Sequence, residues 1–206
     1  ADFNTSKIRI LAELTKLRQI CCDPALCFED YTGESAKLET CVSLIASASA
    51  AGHKILLFSQ FASMLERIRE RLLQEGISSH LLVGATPKEE RSRMVQAFAS
   101  DEVPVFLISL KAGGTGLNLT AADIVIHYDP WWNVAAQNQA TDRAYRIGQE
   151  KPVTVYKLIL KDTIEENLLK LQNAKLALAA QVVSEGMVSL GDLSQNELME
   201  LFEQNP

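Results

Sequence analysis

Five short apolar runs, separated in most cases by helical patterns, constrain this chain more than any other feature of it. They lie at residues 54–58, 80–83, 105–108, 124–128 and 153–158. Each is too short for a helix and apolar for most of its length, as expected of a strand covered on both faces. Between them, residues 62–75, 87–99 and 134–145 carry apolar side chains at helical spacing. Strands alternating with helices close into a parallel sheet through right-handed crossovers, with helices on both faces. The expected fold is α/β, with three α/β/α layers around a mainly parallel sheet.

Helices flank this unit. Residues 6–20 place Ile10, Leu14, Leu17 and Ile20 near one face, and Asp23-Pro24 ends the pattern. Residues 35–50 read as a second helix, capped by Ser35, closed by Gly52, and apolar at Leu38, Val42 and Ile45. Thr86 is the expected cap of the helix whose first turn holds Pro87. From Thr163 the chain reads as helical to about Ser184, and a short helix follows over 194–202. The expected division is a lead-in over 1–34, an α/β lobe over 35–162 and a helical extension over 163–206. With 206 residues the chain suits one domain with short additions.

Composition narrows the partners. The net charge of −6 leaves no excess of cations for a broad nucleic-acid-binding face, so any contact with DNA rests on a few placed groups. Cys21, Cys22, Cys27 and Cys41 lack paired zinc spacing, and His53, His80 and His127 stand apart, so no metal site is expected. They read as reduced, buried thiols of a cytosolic protein. No apolar run reaches the ~20 residues of a membrane span. Residues 1–7 lack a signal-peptide pattern.

In such a sheet, ligands bind beyond the carboxyl ends of the strands. The third run leads into Ser109-Leu110-Lys111-Ala112-Gly113-Gly114-Thr115-Gly116-Leu117-Asn118. Three glycines in four positions permit close backbone approach to a phosphate or sugar, although a tight turn alone would also account for them. Gly-Lys-Ser/Thr is missing, so this is not the loop that wraps a triphosphate. The fourth run ends in Asp129-Pro130-Trp131-Trp132-Asn133. Downstream, Arg143 and Arg146 are three apart on the expected helix and would share a face, suited to charge on a transferring phosphoryl group or to a plain ion pair with Asp142. Ser59-Gln60-Phe61 and Gly84-Ala85-Thr86, with Arg91 after it, offer donors at strand ends where a nucleic-acid phosphate could be held.

Taken in order, Lys54-Ile55-Leu56-Leu57-Phe58-Ser59-Gln60-Phe61, Gly84-Ala85-Thr86, the glycine segment, Asp129 to Asn133 and Gln139 to Gln149 resemble the C-terminal helicase motifs of Swi/Snf-family, superfamily 2 ATPases. The ending Arg146-Ile147-Gly148-Gln149 is specific to that family; RNA helicases carry His-Arg-x-Gly-Arg-x-x-Arg there. Leu17 to Pro24 resembles the segment leading into this lobe, and Ser35 to Glu39 the helix that opens it.

The resemblance implies a RecA-like lobe in a DNA-translocating ATPase. Arg143 and Arg146 match the family's arginine fingers. Gly114 and Gly116 match the glycine loop near the nucleotide ribose, and Gln139 lies at the lobe interface. Ser59, Gln60, Gly84, Thr86 and Lys111 match segments along the DNA, and Trp132 a tryptophan that couples hydrolysis to movement. Val134 stands where the family usually has proline and Tyr145 where it often has histidine, so local geometry there departs from the family pattern.

The implied ligands are ATP with Mg2+, the metal being held by a first lobe whose Gly-Lys-Thr and Asp-Glu-x-His motifs are absent from this sequence. The implied partners are double-stranded DNA, that N-terminal RecA-like lobe, and protein complexes on DNA, with no membrane. Alone, the chain is expected to be catalytically incomplete. Alternatives are the second lobe of a strand-separating helicase and a non-catalytic interaction module. The expected location is the bacterial cytoplasm at the nucleoid, or the nucleus in a eukaryote.

Overall fold

A computed structural model of the chain describes residues 3–113, 117–131, 133–145, 149 and 151–181. Helix α1 (Phe3–Cys22) is followed by a single 3-10 turn over Pro24–Leu26, which Asp23 caps by accepting the Ala25 N–H. Helix α2 (Ala36–Ala50) leads into strand β1 (Ile55–Ser59). Then come α3 (Ala62–Gln74), β2 (Ser79–Leu82), α4 (Lys88–Ser100), β3 (Val105–Ser109) and the short α5 (Leu110–Gly113). Strand β4 (Ile124–His127), α6 (Val134–Thr141), β5 (Thr154–Lys157) and α7 (Ile164–Gln181) complete the order.

The strands lie in the order β2-β3-β1-β4-β5, with every neighbouring pair parallel. This is the expected α/β/α arrangement, and its cause is visible in β1. Leu57 faces a cluster with Leu38, Val42 and Ile45 of α2 and Leu65 and Ile68 of α3. Leu56 and Phe58 face the other way, toward Phe98 of α4 and Ala140 of α6. Both faces of β1 and β3 are fully covered, so their near-continuous apolar reading follows from burial. Truncating Leu57 to alanine would cost about 2–5 kcal/mol of stability.

Local chemistry sets the boundaries. Ser35 caps α2 by accepting the Leu38 N–H, and its hydroxyl donates to the Cys22 carbonyl, so one residue both starts α2 and ties it to α1. Gly52 ends that helix region at a φ of +81°, a left-handed conformation that costs glycine little. Helices α1 and α7 pack on each other through Leu14 and Leu168, flanked by Ile10, Leu11, Ile164 and Leu171.

Three expectations need correction, and a fourth runs past the described residues. All four residues of β5 are exposed, because it is the edge strand and no helix among the described residues covers it. Thr86 does not cap α4: Pro87 is extended, the helix begins at Lys88, and the Thr86 hydroxyl accepts the Val83 N–H at 3.1 Å. Helix α6 stops at Thr141, so Arg143 lies in the turn beyond it rather than on a helical face. The long C-terminal helix is described as far as Gln181, and the expected helix over 194–202 lies outside the described residues.

Candidate functional site

At the carboxyl ends of the central strands β1 and β4, polar groups converge on one buried carboxylate. The Ser59 hydroxyl donates to Asp129 Oδ1 at 2.5 Å. Gln60 donates to the same carboxylate twice, through its backbone N–H at 3.3 Å and through Nε2 at 2.9 Å. Nε2 of Gln60 also reaches the Pro130 carbonyl at 2.9 Å. Arg18 of α1 arrives from the other side, donating to Pro130 O at 2.9 Å with its guanidinium 3.8 Å from Asp129. Burial lowers the pKa of this arginine from its ordinary value, and the Asp129 carboxylate opposes that shift. Ser59, Asp129 and Arg18 are all buried. Sequence reading singled out Ser59 and Gln60 as donors to a DNA phosphate; in this lobe both are engaged with Asp129. Asp129 and Arg18 were missed, because nothing in a sequence marks a charge pair formed across more than a hundred residues.

Beside this hub, His127 stacks on Phe58, ring centroids 5.7 Å apart, and its Nε2 meets the Thr141 hydroxyl at 2.9 Å. Thr141 Oγ1 donates in turn to the Gln137 carbonyl, so His127 supplies the proton in the first contact. Burial, with a smaller contribution from Lys157, pulls the His127 pKa down to about 4, so the ring is neutral near pH 7. Thr141 ends α6 and is followed directly by the turn that carries Arg143. That arginine is 3% exposed, and its carbonyl accepts the Leu119 N–H at 3.1 Å. Gln139 is exposed on α6, and Tyr145 is 66% exposed just past the arginine turn.

The ends of β2 and β3 supply the rest of the edge. Gly84 is exposed, and a Cβ placed on it would meet nothing within 4 Å. Among the described residues, neither its φ nor the space around it requires a glycine. Lys111 is exposed in the first turn of α5. The start of that helix is fixed from within: Ser109 Oγ accepts the Ala112 N–H, and Arg91 donates to the Ala112 carbonyl. Gly114, Gly116, Trp132 and Arg146 lie outside the described residues. The edge thus presents a lysine, an amide and open backbone, while Asp129 is enclosed. Such a donor set suits anions, phosphates among them, rather than proton transfer. Among the described residues no cluster of His, Cys, Asp or Glu could hold a metal, and no helix is long and apolar enough to cross a membrane.

A second buried pair braces the lobe from behind. Lys37 of α2 donates to both oxygens of Glu165 in α7, at 2.6 and 2.7 Å, and lies over the Tyr128 ring. Glu165 also accepts the Leu160 N–H at 2.9 Å. Burial raises the Glu165 pKa above its ordinary value, and Lys37 offsets only part of that rise. Tyr128, next in sequence to Asp129, donates its hydroxyl to the Cys22 carbonyl. Both helical flanks are therefore tied to the strand end that carries the site.

Comparison with known proteins places this geometry. A family model described as the helicase conserved C-terminal domain matches residues 36–148. The chain is 44% identical over 205 residues to a putative ATP-dependent helicase/translocase, YwqA, of Bacillus subtilis, covering 95% of this chain and 22% of that protein. It is 34% identical over 212 residues to the SWI/SNF-related matrix-associated actin-dependent regulator of chromatin subfamily A member 1 of Mus musculus, covering 95% and 20% respectively. The chain thus spans about a fifth of the curated relatives it matches. Among solved structures, the Sulfolobus solfataricus SWI2/SNF2 ATPase C-terminal domain superposes with a TM-score of 0.78 at 33% identity, covering all of this chain and 86% of that one. The core of that ATPase in complex with dsDNA gives a TM-score of 0.79 at 34% identity, covering all of this chain and 44% of that one. The resemblance seen in the motifs holds over the whole lobe: the chain belongs to the helicase conserved C-terminal domain family, as a RecA-like C-terminal lobe of the SWI2/SNF2 type.

Proposed function

We propose that this chain is the C-terminal motor lobe of an ATP-driven, double-stranded-DNA translocase, and that it supplies half of the ATPase site. The observation that carries this reading is the likeness of the whole of this chain to 44% of a SWI2/SNF2 core solved with dsDNA. The edge that faces ligands in such folds is also the one that carries Gly84 and Lys111, after β2 and β3.

ATP is the substrate, and Mg2+, held by the first lobe, would offset the charge of its phosphates. In this chain Arg143 and Arg146 are the candidates for stabilising charge on the transferring phosphoryl group. Gly114, Gly116 and Gln139 are the candidates for the nucleotide-facing surface. Lys111, Gly84, Thr86 and the loop of Ser59 and Gln60 would lie along DNA. Ser59 acts there through the loop it shapes, since its own hydroxyl is engaged with Asp129. Closing of the two lobes on ATP brings the arginine turn to the nucleotide, and reopening after hydrolysis shifts the grip along the duplex. Trp132 is the candidate for coupling these two events.

The test uses the full-length protein. Arg143→Ala should lower DNA-stimulated ATP turnover by roughly a thousandfold or more while DNA affinity holds. Trp132→Ala should keep ATPase and lose movement along DNA. An Arg143→Ala protein with undiminished turnover would overturn the reading, and strand displacement by the parent protein would redirect it to a strand-separating helicase.

A further inference from the structure

Gln149, the last residue of the Arg-Ile-Gly-Gln ending, is wired into the backbone on two sides. Its Nε2 lies 2.7 Å from the Ala122 carbonyl, 3.0 Å from that of Thr120 and 3.3 Å from that of Ala144. Its Oε1 accepts the Lys151 N–H at 2.9 Å. These partners fix which way the amide points. Turned over, its oxygen would face three carbonyl oxygens and its NH2 would face another donor.

The two sides matter. Thr120 and Ala122 lie on the stretch that leaves the glycine segment and enters β4. Ala144 directly follows Arg143. A second bond spans the same junction, from Leu119 N–H to the Arg143 carbonyl at 3.1 Å. The far end of the stretch is anchored by Asp123, which accepts the Lys54 N–H and contacts His53 at 2.8 Å. Past Thr141 the backbone is held to the end of α6 by local turns, Arg143 N–H to the Ala140 carbonyl at 3.2 Å and Ala144 N–H to the Thr141 carbonyl at 3.1 Å, and these bonds do not reach the sheet. Gln149 joins that turn to a segment rooted in the sheet.

We infer that Gln149 is a positioning residue: its carboxamide holds the Arg143 turn in register with the exit of the glycine segment, so both meet the nucleotide as one rigid surface. It acts through the backbone and touches neither nucleotide nor DNA. The inference rests on the motor-lobe reading above. A side chain that only stabilised the fold would leave the chemistry of the folded fraction intact, whereas misplacing the turn slows the chemical step.

The test compares full-length Gln149→Met, which keeps length without donors, and Gln149→Ala with the parent, Arg143→Ala and the Gln149→Met/Arg143→Ala double variant. Gln149→Met should lower kcat between about tenfold and a hundredfold. Its KM for ATP and its DNA affinity should stay within about twofold. The double variant should be no slower than Arg143→Ala alone, because both changes remove one contribution. Hydrogen exchange at the Leu119 amide should accelerate in Gln149→Met while the amides of β1 stay protected. If Gln149→Met keeps its kcat while Arg143→Ala loses it, the inference fails and the motor-lobe reading stands. A rise in KM alone would place Gln149 on the nucleotide and also overturn it. If neither variant loses turnover, both ideas fall. Should Gln149→Ala not fold, Gln149→Met decides alone.

Discussion

Ser59 and Asp129, side by side at the carboxyl ends of β1 and β4, share a hydroxyl–carboxylate hydrogen bond of 2.5 Å, and both side chains are buried. A serine at this place in the sequence invites a role in gripping phosphate, but its burial gives it a different one. Ser59→Ala should cost about 1–3 kcal/mol of unfolding free energy, because it leaves a buried carboxylate short of a donor. Urea denaturation of the chain measures this. A variant with unchanged stability but weakened DNA binding would restore the direct grip. Asp129→Ala should cost more, since it also strands Gln60 and Arg18.

The Lys37–Glu165 pair makes a sharper claim. Lys37→Met should lose about 3–5 kcal/mol, because Glu165 is left buried without its counter-ion. Lys37→Met/Glu165→Leu should recover most of that loss. The deficit of the single variant should also depend on pH. A carboxyl whose pKa is raised in the folded state contributes its stability below the unfolded value, ordinarily 4.5, and loses it as pH climbs through the raised folded value. The deficit should therefore shrink as pH is lowered toward 4.5. A deficit constant from pH 8 to pH 5 would show that Glu165 does not titrate in this way.

His127 carries the opposite sign. Its folded pKa of about 4 lies below the ordinary 6.5, so the folded lobe resists the proton that the unfolded chain accepts. Stability from this ring is complete above pH 6.5 and is lost as pH falls toward 4, by on the order of 3 kcal/mol. His127→Gln should flatten that slope relative to the parent. Parallel pH profiles for the two proteins would remove His127 as its source.

Taken alone, the chain should bind ATP poorly and hydrolyse none, since no Gly-Lys-Thr or Asp-Glu-x-His occurs in it. Its net charge of −6 should also make its hold on duplex DNA weak and readily lost with added salt. Steady-state turnover with and without DNA, and anisotropy titrations at two salt concentrations, check both statements. DNA-stimulated turnover by the purified chain would refute the first.

What the sequence disclosed follows from periodicity. The five apolar runs coincide with the five strands to within a residue or two, and for β1, β3 and β4 the reason is that strands sandwiched between helix layers must be apolar on both faces. The loops after them were legible as a site for the same reason, since parallel sheets bring their carboxyl ends together. Roles within those loops were less legible. Ser59 and Thr86 have the chemistry of exposed donors, yet Ser59 turns toward Asp129, seventy residues away, which only the tertiary arrangement decides, and Thr86 closes a local turn on the Val83 amide. Arg143 reads as helical by spacing, but α6 ends two residues before it. The edge strand β5 reads as a covered strand, yet all four of its residues are exposed.

The strand order also bears on how the chain reaches this structure. β1 is the centre of the sheet, yet neither partner follows it directly: Ile55 waits for Val105 on one side and for Ile124 on the other. At a ribosomal pace of about 5–20 residues per second, the apolar Ile55–Ser59 segment emerges several seconds before its second neighbour exists. Pairings so distant in sequence also form slowly once available. A strand that ends fully buried is thus the longest-exposed one during synthesis, and the interval before β4 arrives is when this chain is most open to chaperone capture or self-association.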